Sequence, residues 1–228
     1  MPTIFITGID TDAGKTVATG LLARYLVRQG ASVITQKLVQ TGCHGMPEDV
    51  LVHRRLMGKE LTNADRQGLT CPYVFELPVS PHLASREEQV VIDPKKIALA
   101  TAQLEQQYEY VLLEGVGGVY VPLHDSLTVL DYLEKQGYPV ILVSSAKLGS
   151  INHTLLTLEA LSRRGLNVLG IVYNEYPAAP LRIAEDSQQV FRAFLPRFGY
   201  KATLISMPTI HPDTDEISEV DFSALLKM

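Results

Sequence analysis

The stretch TIFITGIDTDAGKT, residues 3–16, decides which fold this sequence predicts. It starts as a short apolar run, passes through a loop bounded by Gly8 and Gly14, and ends in Gly-Lys-Thr where a helical pattern begins. A strand, a glycine loop and a helix in that order form a phosphate cradle, because the first N–H groups and the dipole of the helix both favour an anion. The common motif, G-x-x-x-x-G-K-[ST], is one residue shorter between its glycines than this loop.

The longer loop leaves two interpretations. A glycine-rich turn that ends in Gly-Lys-Thr by chance is one, but the strand before the loop and the helix after it favour a nucleotide site. Lys15 would then reach the β- and γ-phosphates of ATP, and the Thr16 hydroxyl would bind Mg²⁺. The additional residue places Thr11 and Asp12 at the tip of the loop. We therefore expect the tip to contact a second ligand besides ATP.

Apolar runs of strand length follow at 32–36, 110–114, 139–145, 167–174 and 203–207. Their apolar residues are consecutive, which is typical of strands buried on both faces of a parallel sheet. Helical patterns are found at 15–29, 94–107, 127–136, 151–164 and 181–195. Asp93 and Ser126 are predicted N-caps, and Gly30 and Gly165 are predicted stop signals. The alternation predicts an α/β fold of the P-loop NTPase type, a three-layer sandwich with a mostly parallel central sheet and helices on both faces.

We expect residues 1–228 to form a single domain, because a chain of this length can bury a sufficient core without disulfides or metals. Residues 38–92 differ from the rest, since they are rich in glycine and proline and show one clear helical pattern, at 49–58. We interpret 38–92 as an insertion over the carboxyl edge of the sheet, where ligands of such folds bind. A purely structural flap is the alternative. Disorder is expected only at 210–219.

The composition argues against several classes of partner. The formal net charge is −5 and no long basic run occurs, so the sequence predicts no nucleic-acid or membrane partner. No apolar run approaches the roughly 20 residues that cross a bilayer, and no secretory leader is recognised. The two cysteines, Cys43 and Cys71, have no metal-binding spacing and suit a reducing compartment. A cytoplasmic location is the resulting expectation.

Three charged residues outside the loop are candidates for the chemistry. Glu114 ends the apolar run YVLLE, and an acid at the carboxyl end of a buried strand predicts a Mg²⁺ ligand, direct or through water. Asp49 would be a second acid on the metal, although Glu48 competes with it and a simple helix cap is the alternative. Lys37 ends the second strand and would point into the same crevice, where its charge would stabilise a transferred phosphoryl group. A surface lysine is the alternative for Lys37.

In these motifs the sequence resembles the dethiobiotin synthase family, ATP-dependent enzymes that close the ureido ring of the biotin precursor. The family's loop reads G-x-D-T-x-x-G-K-T, and GIDTDAGKT at 8–16 matches every fixed position. Further matches are KLVQTG at 37–42, SPH at 80–82, EGVGG at 114–118, KLGSINH at 147–153 and the YN that ends at Asn174. Leu38 replaces the usual proline. The sequences around both cysteines, QKLVQTGC and LTCPYVF, resemble a branch of the family that is found as a second copy beside the main enzyme.

The resemblance implies a reaction in three steps. CO₂ adds to one amine of 7,8-diaminononanoate, the carbamate takes the γ-phosphoryl group of ATP, and the second amine closes the ring with release of phosphate. Lys37, Lys15 and Thr11 would be catalytic, while Thr16, Asp49 and Glu114 would hold Mg²⁺. The nucleotide and its metal would contact Asp12, Ala13, Gly14, Lys15, Thr16, Val17, Asp49, Glu114, Gly115, Val116, Gly117, Asn174, Met207, Pro208 and Thr209. The diamine or its carbamate would contact Thr11, Lys37, Thr41, Gly118, Gly149, Ser150, Ile151 and Asn152.

The resemblance also implies a homodimer in which residues 148–152 reach the partner's site and bind the tail carboxylate of the substrate. The start of the helix at 151–164 suits a carboxylate, although Asn152 as a helix cap in its own subunit is the alternative. Asn174, whose amide can donate and accept, would contact adenine together with the turn at 207–209.

Two other classes of protein compete with this interpretation. A switch ATPase of the partition or septum-positioning type has the same fold and a long loop, but it carries an additional lysine near the loop's start, where this chain has Ile9, Asp10 and Thr11. A cobyrinate-type amidating ligase carries a second, glutamine-hydrolysing domain, which we do not expect in a chain of this length.

Overall fold

A six-stranded sheet forms the centre of the computed structural model, which describes residues 3–178, 180–201, 203–210 and 218–226. Its strands are β1 (Thr3–Gly8), β2 (Val33–Lys37), β3 (Tyr110–Glu114), β6 (Val140–Ser145), β7 (Val168–Asn174) and β8 (Thr203–Met207), while β4 (Pro122–His124) and β5 (Leu127–Thr128) form a separate antiparallel pair. Most of the stretch predicted to be disordered, 211–217, lies outside the described residues.

The helices that alternate with these strands are α1 (Lys15–Arg28), α2 (Glu48–Met57), α3 (Asn63–Arg66), α4 (Pro81–Glu87), α5 (Pro94–Glu105), α6 (Val129–Gln136), α7 (Ser150–Arg163), α8 (Leu181–Phe194) and α9 (Ser223–Leu226). Two of the predicted signals at helix ends are clear. The Asp93 side chain accepts a hydrogen bond from the Lys95 N–H at 2.8 Å, so Asp93 is the N-cap of α5. Gly30 follows α1 with φ 88°, the left-handed conformation that ends a helix.

The strand order is β2-β3-β1-β6-β7-β8, and all neighbouring strands in this sheet are parallel. Successive side chains of β1 point to opposite faces. Phe5 packs on one face in a core with residues of α5 to α8, whereas Ile4 and Ile6 pack on the other with residues of α1, α2 and α9. The predicted three-layer α/β sandwich of the P-loop NTPase type is therefore confirmed. Among the described residues, no helix has the length and apolar character needed to span a membrane.

The parallel arrangement brings the carboxyl ends of the strands to one edge. β1 ends at Gly8, β2 at Lys37, β3 at Glu114 and β7 at Asn174, and the register pairs Lys37 directly with Glu114. Three of the predicted site residues thus occupy the last positions of their strands, where a parallel α/β fold binds ligands.

Two local predictions are wrong. Ser126 does not cap a helix, because α6 begins at Val129 with Thr128 as its N-cap. The Thr128 hydroxyl accepts from the Asp131 N–H and the Asp131 carboxylate accepts from the Thr128 N–H, a reciprocal pair that Ser126 has no partner to form. Residues 38–92 contain three helices, α2, α3 and α4, rather than the single one predicted. α3 and α4 were not predicted because they have only four and seven residues, too few to show a helical pattern.

Candidate active site

The loop between β1 and α1 has the backbone of a phosphate cradle. Asp12 and Gly14 have φ values of 59° and 98°, and Asp is among the few non-glycine residues that accept this left-handed conformation. Gly14 is also the N-cap of α1 and provides no side-chain hydrogen bond to the helix. A Cβ at Gly14 would lie 2.3 Å from Asn174 Nδ2, so only glycine fits there. Thr11 and Asp12 are exposed at the tip, as predicted.

Lys15 is buried beneath this loop, and its ammonium donates to the backbone oxygen of Asp10 at 2.8 Å. Burial and the nearby charge of Lys37 lower the pKa of Lys15 to about 8, against the opposite influence of the Glu114 and Asp49 carboxylates. An anion in the cavity would favour the charged form of Lys15. Lys15 lines the cavity next to the loop, and its contact with a phosphate stays a prediction.

A cluster of charged and polar groups lies next to the loop. The Lys37 ammonium is 2.7 Å from Glu114 Oε1 and 2.5 Å from Asp49 Oδ2. The Thr16 hydroxyl is 3.1 Å from Asp49 Oδ1 and 3.1 Å from Glu114 Oε1, and it can donate to either carboxylate. Residues that are distant in the sequence, on α1, α2, β2 and β3, thus meet at one point.

The structure bears on three alternatives left open by the sequence. Lys37 is 5% exposed and lines the cavity, so it is not a surface lysine. Asp49 is the acid that approaches Thr16, whereas Glu48 is exposed. Asp49 is not the cap of α2 either, because Pro47 occupies the N-cap position.

Glu114 is ionised although it is completely buried. Burial alone would raise the pKa of Glu114, but the Lys37 charge and a hydrogen bond from His53 outweigh burial and hold the pKa far below its ordinary value. Burial would likewise lower the pKa of Lys37, yet the charges of Glu114 and Asp49 raise it above the ordinary lysine value. Both members of this pair are therefore charged near neutral pH.

The donor set fits Mg²⁺. Thr16, Asp49 and Glu114 offer one hydroxyl and two carboxylates with oxygens close together, and Mg²⁺ favours oxygen ligands. Within the described part of the chain no three His, Cys, Asp or Glu side chains are grouped to hold a metal by themselves. Mg²⁺ sites in nucleotide-binding enzymes typically use one or two carboxylates together with the phosphates of the nucleotide.

His53 belongs to this cluster and was missed in the sequence analysis. Its ring is completely buried, and its Nε2 lies 2.7 Å from Glu114 Oε2. A signal for it exists, since Asp49 and His53 are four residues apart on α2 and therefore share one helix face. This spacing is only a weak signal, because it does not show that the histidine is buried against Glu114.

The cluster opens into a cavity of about 940 Å³. Predicted site residues that line it are Thr11, Asp12, Gly14, Lys15, Thr16, Val17, Lys37, Thr41, Asp49, Glu114, Val116, Gly117 and Asn174. The stretch 38–92 contributes part of the wall, through Val39, Gln40 and 78–81. Part of this stretch therefore lies at the carboxyl edge of the sheet, while its interpretation as an insertion that holds a ligand stays a prediction.

Other predicted site residues do not line this cavity: Ala13, Gly115, Gly118, Gly149, Ser150, Ile151, Asn152, Met207, Pro208 and Thr209. Ala13 and Met207 have buried side chains, and a Cβ at Gly115 would lie 2.9 Å from the Phe5 ring. Gly149 is the N-cap of α7, so Asn152 is not the cap, and its side chain is exposed. Contacts of these residues with a ligand stay predictions.

Asn174 is already engaged within the chain. Its Nδ2 donates to the Ala13 oxygen at 3.1 Å, and its Oδ1 accepts from the Tyr176 N–H at 3.1 Å. An amide nitrogen has a second hydrogen and an amide oxygen a second lone pair. Asn174 can therefore hold the phosphate loop and retain one donor and one acceptor for a base.

Comparison with known proteins gives a consistent result. A family model described as AAA domain matches residues 2–207. The chain is 55% identical over 195 residues to ATP-dependent dethiobiotin synthetase BioD 2 of Pasteurella multocida, covering 86% of this chain and 92% of the relative. It is 52% identical over 205 residues to ATP-dependent dethiobiotin synthetase BioD of Chlorobaculum tepidum, covering 90% of this chain and 86% of the relative.

Solved structures are similar at a greater distance. The septum site-determining protein MinD from Pyrococcus horikoshii, complexed with Mg-ADP, aligns with a TM-score of 0.53 at 20% identity, over 91% of this chain and 81% of that chain. The pNOB8 ParA protein bound to nonspecific DNA aligns with a TM-score of 0.57 at 12% identity, over 96% of this chain and 88% of that chain. At such identities the likeness is one of fold alone. On the sequence identity to the synthetases, this chain belongs to the ATP-dependent dethiobiotin synthetase family.

Proposed function

We propose that this chain closes the ureido ring of dethiobiotin, converting 7,8-diaminononanoate, CO₂ and ATP into dethiobiotin, ADP and phosphate. The observation that carries the proposal is the meeting of the phosphate loop with Lys37, Asp49 and Glu114 in one cavity of about 940 Å³. That volume is at the upper end of ordinary ligand pockets, roughly 300–1,000 Å³, and leaves room for a nucleotide and a second substrate.

The reaction needs position and charge rather than a protein nucleophile. An amine nitrogen attacks CO₂ and loses a proton to give a carbamate, whose oxygen attacks the γ-phosphorus as ADP leaves. The second amine attacks the carbamoyl carbon, phosphate leaves, and a proton is released as the ring C–N bond forms. Lys15 and Lys37 both line the cavity and would supply positive charge to the transferred group, where negative charge develops in the transition state.

The polar residues at the tip of the loop and on the insertion suit the second substrate. Thr11 and Thr41 line the cavity with hydroxyl groups that can donate to a carbamate or accept from an amine. Mg²⁺, when bound by Thr16, Asp49 and Glu114, would neutralise phosphate oxygens of the nucleotide. Asn174 and the segment 207–209 would lie against the adenine, next to the cavity wall at Ile210.

The proposal includes a single cytoplasmic domain that works as a homodimer. Leu148 is 95% exposed and Asn152 is exposed, yet neither lines the cavity of its own chain. We expect the segment 148–152 to reach the partner's cavity, with N–H groups at the start of α7 on the tail carboxylate of the substrate.

A coupled assay tests the function directly. Purified protein is incubated with ATP, Mg²⁺ and bicarbonate, with and without 7,8-diaminononanoate, and ADP release is followed together with formation of the cyclic urea by mass spectrometry. We expect both products only when the diamine is present, in equal amounts. ADP release that is independent of the diamine would contradict ring closure and support a switch ATPase.

A further inference from the structure

We infer that His53 is a positioning residue for Glu114, which it holds by one oxygen so that the other oxygen faces the proposed metal. The inference rests on the proposed function only in the use of Mg²⁺ with the nucleotide. His53 lies on α2, in the part of the chain between β2 and β3 that forms the cavity wall. It does not line the cavity itself.

The two oxygens of the Glu114 carboxylate have different partners. Oε1 is 2.7 Å from the Lys37 ammonium and 3.1 Å from the Thr16 hydroxyl, and both Lys37 and Thr16 line the cavity. Oε2 is 2.7 Å from His53 Nε2. Because an ionised carboxylate can only accept hydrogen bonds, His53 Nε2 must carry the hydrogen. The bond fixes rotation of the carboxylate about its last side-chain torsion, and thereby the direction of Oε1.

The other ring nitrogen of His53, Nδ1, orients no neighbouring group in the described part of the chain. His53 Nδ1 is buried, and among the described residues it has no hydrogen-bond partner. A buried polar group with one nitrogen unsatisfied costs stability compared with an apolar side chain of similar size. The contact with Glu114 is the one polar interaction in the described structure that offsets this cost. A requirement of packing alone would be met better by leucine or methionine.

The helix that carries His53 also carries Asp49, the other proposed acidic ligand. The two residues are four apart and lie on one face of α2, so a single helix both supplies one ligand and orients the second. Partners that orient a metal-binding side chain typically change metal affinity or activity by roughly 10- to 100-fold when they are removed. The expected effect of His53 is therefore on the metal and not on the nucleotide as such.

The test compares three substitutions that differ in where they place an N–H group. His53→Gln places an amide nitrogen where Nε2 lies, His53→Asn places it near the position of Nδ1, and His53→Leu has none. Isothermal titration calorimetry measures the affinity for a non-hydrolysable ATP analogue in EDTA and in Mg²⁺, with no diamine present. The ratio of the two affinities is the coupling between metal and nucleotide.

We expect His53→Leu and His53→Asn to lose roughly 10- to 100-fold of this coupling, with the affinity in EDTA unchanged, and His53→Gln to keep most of it. Full coupling in His53→Leu would overturn the inference, and so would an equal loss of affinity with and without Mg²⁺. If His53→Leu does not fold, the comparison of His53→Gln with His53→Asn tests the inference. Equal coupling between metal and nucleotide in these two variants would contradict the role of Nε2. Since no diamine is used, the result is independent of whether ring closure is the reaction.

Discussion

At the scale of single residues, Lys37 has the most demanding surroundings in the site. Its ammonium contacts Glu114 and Asp49, the same two carboxylates that we propose as metal ligands. Lysine and metal therefore compete for the same negative oxygens. If Thr16, Asp49 and Glu114 hold Mg²⁺, its charge would weaken the attraction of these carboxylates for Lys37, which lines the cavity where the carbamate and the γ-phosphoryl group are expected.

Replacement of Lys37 separates these two effects. We expect Lys37→Met to lower kcat by roughly 10²- to 10³-fold, because a charge aimed at the transferred group is lost. The affinity for the ATP analogue with Mg²⁺ should change by no more than about threefold, since the competing ammonium is removed together with its attraction for phosphate. Steady-state kinetics and calorimetry measure the two quantities.

Circular dichroism establishes that Lys37→Met is folded, and Lys59→Met, which changes an exposed lysine beyond the end of α2, is the matched control. The control should retain the activity of the original chain. Equal losses of kcat and nucleotide affinity in Lys37→Met would show that Lys37 binds ATP rather than stabilising the transition state.

The charged residues at strand ends could be predicted because burial makes a charge in an apolar strand conspicuous. Lys37 and Glu114 each end a run of buried residues, and the structure pairs them directly. His53 could not be found in this way, since it lies on a helix of the stretch 38–92, whose fold depends on distant contacts. The choice between Asp49 and Glu48 was also beyond the sequence, because it depends on how α2 is rotated about its axis.

At the scale of secondary structure elements, the orientation of α2 depends on a buried ion pair next to His53. The Arg54 guanidinium binds both oxygens of Asp65 at 2.9 and 2.7 Å and donates to the Thr35 hydroxyl at 2.7 Å. Asp65 also accepts from Thr62 and Thr70. The ion pair thus joins α2 to α3 and β2, and it fixes the helix that carries Asp49.

Removing the carboxylate charge should destabilise the chain in a pH-dependent way. Burial would raise the pKa of Asp65, but the hydrogen bonds and charge of Arg54 outweigh it and lower the pKa below its ordinary value. Asp65 therefore contributes stability that is present above about pH 4 and is lost as pH falls through the lower folded-state pKa. Asp65→Asn leaves Arg54 buried without its partner, and we expect a loss of about 3–5 kcal/mol at pH 7.

Urea unfolding of both proteins at pH 7, pH 5 and pH 3 measures this loss. The difference in unfolding free energy should be equal at the two higher values and smaller at the lowest. Asp125→Asn changes an exposed aspartate and is the matched control, with an expected effect within about 0.5 kcal/mol. If the difference in unfolding free energy between the original chain and Asp65→Asn stays constant down to pH 3, packing of the side chain, rather than the charge of Asp65, stabilises the contact.

Prediction at this scale succeeded where a local signal is long and failed where it is short. The six strands of the sheet were identified from their consecutive apolar residues, and the long helices from their periodicity. The pair β4 and β5 was missed because its strands have only three and two residues. The start of α6 was misplaced because Ser126 and Thr128 are both good caps, and only Thr128 has an acid three residues later to complete the capping box.

At the scale of the whole molecule, the fold alone does not determine the function. MinD and ParA proteins have similar folds, and their similarity to this chain extends over most of its length. The strand order β2-β3-β1-β6-β7-β8 could not be obtained from the local patterns either, because it arises from pairing between distant segments. The function must therefore be argued from the side chains that meet next to the phosphate loop, which come from α1, α2, β2 and β3.

The proposed dimer makes a prediction about complementation between two inactive chains. If 148–152 serves the partner's cavity, then Lys37 and Asn152 of one active site come from different subunits. Homodimers of Lys37→Met and of Asn152→Ala should each have low activity, while a mixed dimer should contain one site with both original residues. Random exchange of subunits would then restore about a quarter of the original sites, because half of the dimers are mixed and each has one intact site.

The control mixes Lys37→Met with Glu114→Gln, whose altered residues contact each other within one chain. No mixed dimer of that pair contains a restored site beyond those of the parents, so its activity should stay at the parental level. Activity measured before and after subunit exchange, with the mixed dimer isolated by two different affinity tags, distinguishes the cases. Recovery in the first mixture and not in the second requires a site shared between subunits, because within one chain Lys37→Met and Asn152→Ala would each inactivate the cavity of their own subunit. Failure of both mixtures to recover would instead place Asn152 at the site of its own chain and contradict the shared arrangement.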